Sequence, residues 1–175
     1  MPNIVYIAAS LDGYIAKKDG SIDWLLEIPN PNESDFGFSE FIKNIDAIVM
    51  GRNTFELVQT FDNWPYTKPL FVLSSTLKSI PEKLIGKAEL LQGDPFSVLK
   101  VLNARNYFNL YIDVGKTIQE FLNLNLIDEM IITQIPILLG EGIPLFGTLA
   151  KEQKFKLLKS EALVNELVKN HYVKS

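Results

Sequence analysis

Arg52 is the residue whose surroundings most plainly suggest chemistry. It lies inside the run IDAIVMGRNTFELV, residues 45–58, between a short apolar stretch and the start of a helical stripe. Ala47 to Met50 has the length and character of a buried strand. Gly51, without a Cβ, lets a ligand or a second backbone come close. Asn53 and Glu56 have the spacing of a capping box, and Phe55 and Val58 begin a buried stripe, so a helix is expected to start here. A guanidinium at that turn can grip a phosphate with paired hydrogen bonds, beside free N–H groups and the positive end of the helix dipole. The alternative is a surface arginine at an ordinary strand–helix junction.

Two other stretches have similar surroundings. Ser74-Ser75-Thr76 closes the apolar run Pro69 to Leu73. Val114-Gly115-Lys116-Thr117 closes Leu110 to Asp113, and Thr117 with Glu120 has the spacing of a second capping box. Other chemistries are excluded by composition. The chain has no cysteine, which removes disulfides and thiolate metal sites. Its one histidine, His171, lies near the C-terminus, so a serine nucleophile lacks the usual imidazole and a multi-histidine zinc site cannot form.

The elements that must position these loops follow from periodicity. Asn3 to Ala9 is apolar throughout and is expected to be a strand buried on both faces. Phe38, Phe41, Ile42 and Ile45 share one helix face, which Ser34 or Asp35 can cap. Ala88 to Leu91 is a weaker strand. Asp94 and Pro95 have the N-cap and first-position chemistry of a helix whose stripe is Phe96, Leu99 and Leu102. Ile118, Phe121 and Leu122 give the next helix its buried side. Glu129 to Leu139 is a long β-branched strand interrupted by Pro136, and Leu157 to Leu163 with Leu167 to Val173 reads as a hairpin around Asn165-Glu166.

Strands alternating with helices imply an α/β fold with a largely parallel sheet wrapped by helices. Ligands bind such sheets beyond the C-terminal strand ends, where all three loops fall. A phosphate-rich nucleotide across that edge is the natural inference. The Rossmann fingerprint is absent, because the stretch from Gly140 to Leu145 lacks the third glycine and carries Pro144.

Six landmarks, taken in order, resemble the dihydrofolate reductase-like family that includes the reductase domain of bacterial riboflavin biosynthesis. They are SLDGYIA at 10–16, Asp23-Trp24, VMGRNTF at 49–55, VLSS at 72–75, LIDE at 126–129 and IPILLGEGIPLF at 135–146. The resemblance implies a three-layer fold with a twisted sheet and a C-terminal antiparallel hairpin, NADPH as hydride donor, and a heterocyclic, pyrimidine- or pterin-like substrate. It places Gly51, Arg52, Asn53, Thr54, Ser74 and Ser75 at the adenosine phosphate end of NADPH. It places Val114, Gly115, Lys116 and Thr117, after Asp113, at the pyrophosphate. The loop from Ala9 to Trp24 matches the segment that covers nicotinamide and substrate.

Trp24 and Asp12 in that loop are therefore candidates for the chemistry, the first by holding a water; a buried core tryptophan and a turn-capping aspartate are the alternatives. Dihydrofolate reductases proper place a carboxylate on the helix before the Gly-Arg strand. Counting back puts Asp35 there, or Glu40, as a proton source with a burial-raised pKa, although aspartate is equally a helix cap. Relatives usually carry Gly-Gly where this chain has Val114-Gly115, often with a cis link. The zinc deaminase half of the bifunctional enzyme needs a His-x-Glu and a Cys-x-x-Cys, and both are missing.

The expectation is one reductase domain over residues 1–175, an NADPH-dependent oxidoreductase acting on a C=N or carbonyl group. Dihydrofolate reductase proper and a non-catalytic ligand-binding relative are the alternatives. The net charge of −4 and pI near 5.1 argue against nucleic acid. Without a leader or a bilayer-length apolar run the expected location is the cytoplasm. A homodimer is implied by the resemblance, with Ile143 to Phe146 as a contact.

Overall fold

The computed structural model describes residues 2–163 and 166–175. In chain order the elements are β1 Asn3–Ser10, β2 Tyr14–Ala16, α1 Asp23–Leu26, α2 Phe38–Lys43, β3 Ala47–Gly51, α3 Arg52–Val58 and β4 Leu70–Leu73. There follow a 3-10 turn at Glu82–Leu84, β5 Ala88–Leu91, α4 Pro95–Ala104, β6 Leu110–Asp113, α5 Lys116–Asn123 and β7 Glu129–Ile135. The chain closes with β8 Ile143–Pro144, β9 Phe155–Ala162 and β10 Val168–Lys174.

Among the described residues, eight strands form one sheet in the order β5-β4-β3-β6-β1-β7-β10-β9, and β2 pairs with β8 in a small second ladder. The pairings from β5 through β7 are parallel, and β10 runs antiparallel to both β7 and β9. The expected α/β architecture with a C-terminal hairpin is therefore found. Asn165, placed at the hairpin turn by the sequence, lies outside the described residues.

Strand alternation sorts the apolar residues onto two faces. Val5, Ala9, Val49 and Ile112 pack against Val98 and Leu102 of α4 and against Ile118, Phe121 and Leu122 of α5. Ile48, Met50 and Tyr111 pack on the other face with Phe55 of α3 and with Phe38, Phe41 and Ile42 of α2. Trp24, Ile135 and Leu167 form a third cluster with Ala8 and Phe36. In α4 the stripe is rotated from expectation: Val98 and Leu102 are buried while Phe96 is exposed. β7 stops at Ile135 instead of Leu139, because Pro136 has no N–H to continue the ladder.

One pairing is incomplete. β1 pairs with β7 over seven residues, from Ile4↔Glu129 to Ser10↔Ile135. With β6 it pairs only at Asn3↔Leu110 and Ile4↔Tyr111. Beyond Ile4 the two parallel strands separate, so the sheet opens at its C-terminal edge between β1 and β6.

Candidate active site

The ends of β4, β3 and β6 stand side by side, with Gly51 opposite Leu73 and Met50 opposite Asp113. The loops that follow are in direct contact. A Cβ on Gly51 would lie 2.8 Å from Thr117 Oγ1, so the absence of a side chain at residue 51 lets the β3–α3 and β6–α5 junctions meet. Neither expected capping box forms. α3 begins at Arg52 with Gly51 as N-cap, and α5 begins at Lys116 with Gly115 as N-cap, both without a side-chain cap. A glycine at the cap position has no side-chain oxygen to offer, and a cap two residues earlier than expected moves Asn53 and Thr117 into the helices. Thr117 is buried, and Glu56 is used elsewhere.

Arg52 joins two loops. Its Nε donates to Glu56 Oε1 at 2.6 Å and its Nη1 to Thr76 Oγ1 at 3.1 Å. Ser74 is buried, and its Oγ accepts from the backbone N–H groups of Thr76 and Leu77, which fixes the turn after β4. Ser75 is exposed at the tip of that turn; Asn53 is exposed and Thr54 half-buried in the first turn of α3. The sequence placed Thr76 in a loop and Glu56 in a capping box, but neither as a partner of Arg52.

Val114 takes φ +52° and Gly115 φ +62°. A β-branched residue in the left-handed region is strained, since its Cβ crowds the following carbonyl. The described residues contain no cis peptide bond, and this loop turns with positive φ at both residues instead of the cis link that the resemblance implied. Val114 packs its side chain against the apolar cluster beneath α5.

Where β1 and β6 part, the carboxylate of Asp113 is buried at 4 % exposure. Tyr66 donates its hydroxyl to Asp113 Oδ2 at 3.1 Å. The Tyr111 hydroxyl stands 2.8 Å from Asp113 Oδ1 and 3.0 Å from the Tyr6 carbonyl oxygen. Burial raises the carboxyl pKa to about 6, and the hydrogen bonds from Tyr111 and then Tyr66 oppose that rise. Burial also pushes the phenols of Tyr66 and Tyr111 upward, so they remain donors. Once protonated, Asp113 can donate to the Tyr111 oxygen while Tyr111 donates to Tyr6, so both protonation states are accommodated. Sequence reasoning assigned Asp113 only to the phosphate turn. An aspartate ending the otherwise apolar run of β6 was the available signal.

The three expected catalytic residues are distributed differently. Asp35 is exposed and accepts hydrogen bonds from the backbone N–H groups of Gly37 and Ser39. Bonds from the Ser39 side chain and from these amides bring its pKa down to about 2, so the burial-raised pKa expected of it is absent. It caps α2, whose Glu40 is likewise exposed and paired with Lys43. Asp12 accepts from the Ser10 hydroxyl and from the amides of Leu139 and Gly140, fastening the loop after β1 to the loop after β7. Those bonds, with the Ser10 hydroxyl foremost, hold its carboxyl below the usual range. The Leu11 amide donates to the Ile137 carbonyl and the Leu145 amide to the Gly13 carbonyl, so the covering loop is stitched along its length. Trp24 is buried, and its Nε1–H has no hydrogen-bond acceptor among the described residues. Ala9 is buried at the end of β1, beside the opening.

Comparison with known proteins agrees with this fold. The family model of the RibD C-terminal domain matches residues 3–169. The uncharacterised Bacillus subtilis protein YwjB is 36 % identical, over 98 % of this chain and 97 % of its own. A crystal structure from Shewanella sp. PV-4, of a protein assigned by name to riboflavin biosynthesis, is 49 % identical with a TM-score of 0.97, over 100 % of this chain and 99 % of that one. A Thermotoga maritima diaminohydroxyphosphoribosylaminopyrimidine deaminase/5-amino-6-(5-phosphoribosylamino)uracil reductase shares the fold at 17 % identity and a TM-score of 0.73; the match covers 99 % of this chain and 57 % of that chain. No helix among the described residues is long and apolar enough to cross a membrane. With the family model matched along nearly its whole length, the chain belongs to the RibD C-terminal domain family of reductase-like domains.

Proposed function

We propose that this chain is an NADPH-dependent reductase of a pyrimidine- or pterin-like heterocycle, acting at a C=N or carbonyl carbon. The observation that carries this is the opening between β1 and β6, whose β6 side carries three loops in contact and the buried acid Asp113. The residues present fit the cofactor. Arg52, Ser75 and Thr76 form a polar, cationic end suited to the adenosine 2′-phosphate. The cradle at Gly51, with Thr117 and the Val114-Gly115-Lys116 turn at the N-terminus of α5, suits a pyrophosphate. The nicotinamide ring would lie near Ala9, where β1 and β6 part. NADPH, when bound, supplies the hydride.

The chain's own residues position and protonate. Asp113, whose pKa burial raises to about 6, carries a proton below that pH and takes the role first sought in Asp35. Trp24 offers an indole N–H that an acceptor on the substrate, or a water, would satisfy. Asp12 shapes the cover by holding its loop to the residues after β7. NADPH oxidation measured against pterins, pyrimidines and quinones tests the proposal. Turnover of one heterocycle supports it, whereas tight NADPH binding without turnover of any compound favours the non-catalytic ligand-binding alternative.

A further inference from the structure

Glu56 occupies the place in the Arg52 network that a bound anion would contest. Of the five N–H donors on a guanidinium, the bonds to Glu56 and Thr76 take two. Thr76 ties one end of the group to the turn after β4, three donors remain for a ligand, and about 43 % of the arginine side chain is exposed. The carboxylate shares that exposure at 47 % and sits one helical turn along α3. Exposed pairs of this spacing are weak, so the contact contributes little to folding. It still places a full negative charge beside any phosphate that uses the free donors. At separations of a few ångströms, inside a Debye length of about 8 Å, that repulsion is only partly screened.

We propose that Glu56 is a specificity-determining residue that opposes the 2′-phosphate of the nucleotide held by Arg52, lowering affinity for phosphomonoester-bearing nucleotides and speeding their release. This rests on the assignment of Arg52 to that phosphate. The sequence spacing suggested that Glu56 serves a cap at Asn53, and the structure gives it to Arg52 instead. Its charge, rather than its shape, is the active property. A glutamine in its place can still accept from Nε and keep the guanidinium oriented, while an alanine removes charge and acceptor together.

Adenosine 2′,5′-bisphosphate and 5′-AMP, titrated into the wild-type chain and the Glu56→Gln and Glu56→Ala variants, separate the outcomes. Glu56→Gln should bind the bisphosphate about 3- to 10-fold more tightly, bind 5′-AMP unchanged, and lose its advantage as salt is raised. Glu56→Ala should gain less, because the guanidinium loses its anchor. Unchanged or weaker bisphosphate binding by Glu56→Gln, with the wild type still preferring the bisphosphate to 5′-AMP, overturns the inference and leaves the role of Arg52 standing. A wild-type chain that binds both nucleotides equally removes the assignment of Arg52 itself, and the inference with it.

Discussion

The position a Cβ would take on Gly51 lies 2.8 Å from the hydroxyl oxygen of Thr117, so the loops after β3 and β6 are packed together at a single atom's clearance. Thr117 is buried and stiff at χ1, and cannot easily swing away. Gly51→Ala should therefore cost about 1–3 kcal/mol by overpacking and weaken nucleotide binding. Adding Thr117→Ala should restore the melting temperature, because the crowded oxygen is gone. It should leave binding impaired, because the proposed pyrophosphate site loses that hydroxyl. Denaturation and titration of the single and double variants check this.

Asp113 makes stability depend on pH in a stated direction. Its folded pKa of about 6 exceeds the ordinary 3.8, so the folded state binds the proton more tightly than the unfolded chain does. The penalty for burying the charge is fully present above pH 6. It is relieved as pH falls from 6 toward 3.8, by about 3 kcal/mol in total. Asp113→Asn should flatten this part of the stability–pH profile. In turnover assays the wild-type rate should fall as pH rises through about 6, and the variant should lose most of its activity. A Val114→Gly variant offers a separate test of the same loop.

Val114 combines a strained φ of +52° with a side chain packed on the core. Substituting glycine relieves a strain of about 1–2 kcal/mol and gives up packing of similar size, so stability should change little. The turn gains freedom to close on a pyrophosphate, and NADPH binding should tighten several-fold by calorimetry. Binding that is no better, or worse, would mean that the left-handed valine already presents the loop correctly.

A homodimer is expected to use the β8 region, where Ile143 and Phe146 are 37 % and 47 % exposed while Leu145 between them is buried. Light scattering at micromolar concentration should give twice the chain mass, and Phe146→Glu should reduce it to the monomer. A wild-type monomer would remove the proposal.

Strand and helix identities were legible because hydrophobic period and apolar runs report burial directly. β3, β6 and the buried face of α5 all follow from such local patterns. Helix starts were less so: both capping-box spacings were present, but glycines at the N-cap positions began each helix one residue or more early. The three loops of the site were legible as strand ends, whereas the acid was not. Asp113 draws its proton affinity from burial, against the hydrogen bonds of Tyr111 and Tyr66, and Tyr66 is 47 residues away in sequence. Asp35 was reached by counting back from the resemblance, and the cap chemistry weighed against that role is what its carboxylate does.

The cofactor end of the site is tested most directly by titrating NADPH and NADH into the wild-type chain and Arg52→Ala. A charge-assisted hydrogen bond contributes roughly 1.5–3 kcal/mol. The variant should therefore lose about 10- to 100-fold in NADPH affinity while its NADH affinity stays nearly unchanged. Equal loss for both nucleotides, or no loss for either, would contradict the placement of Arg52 on the 2′-phosphate.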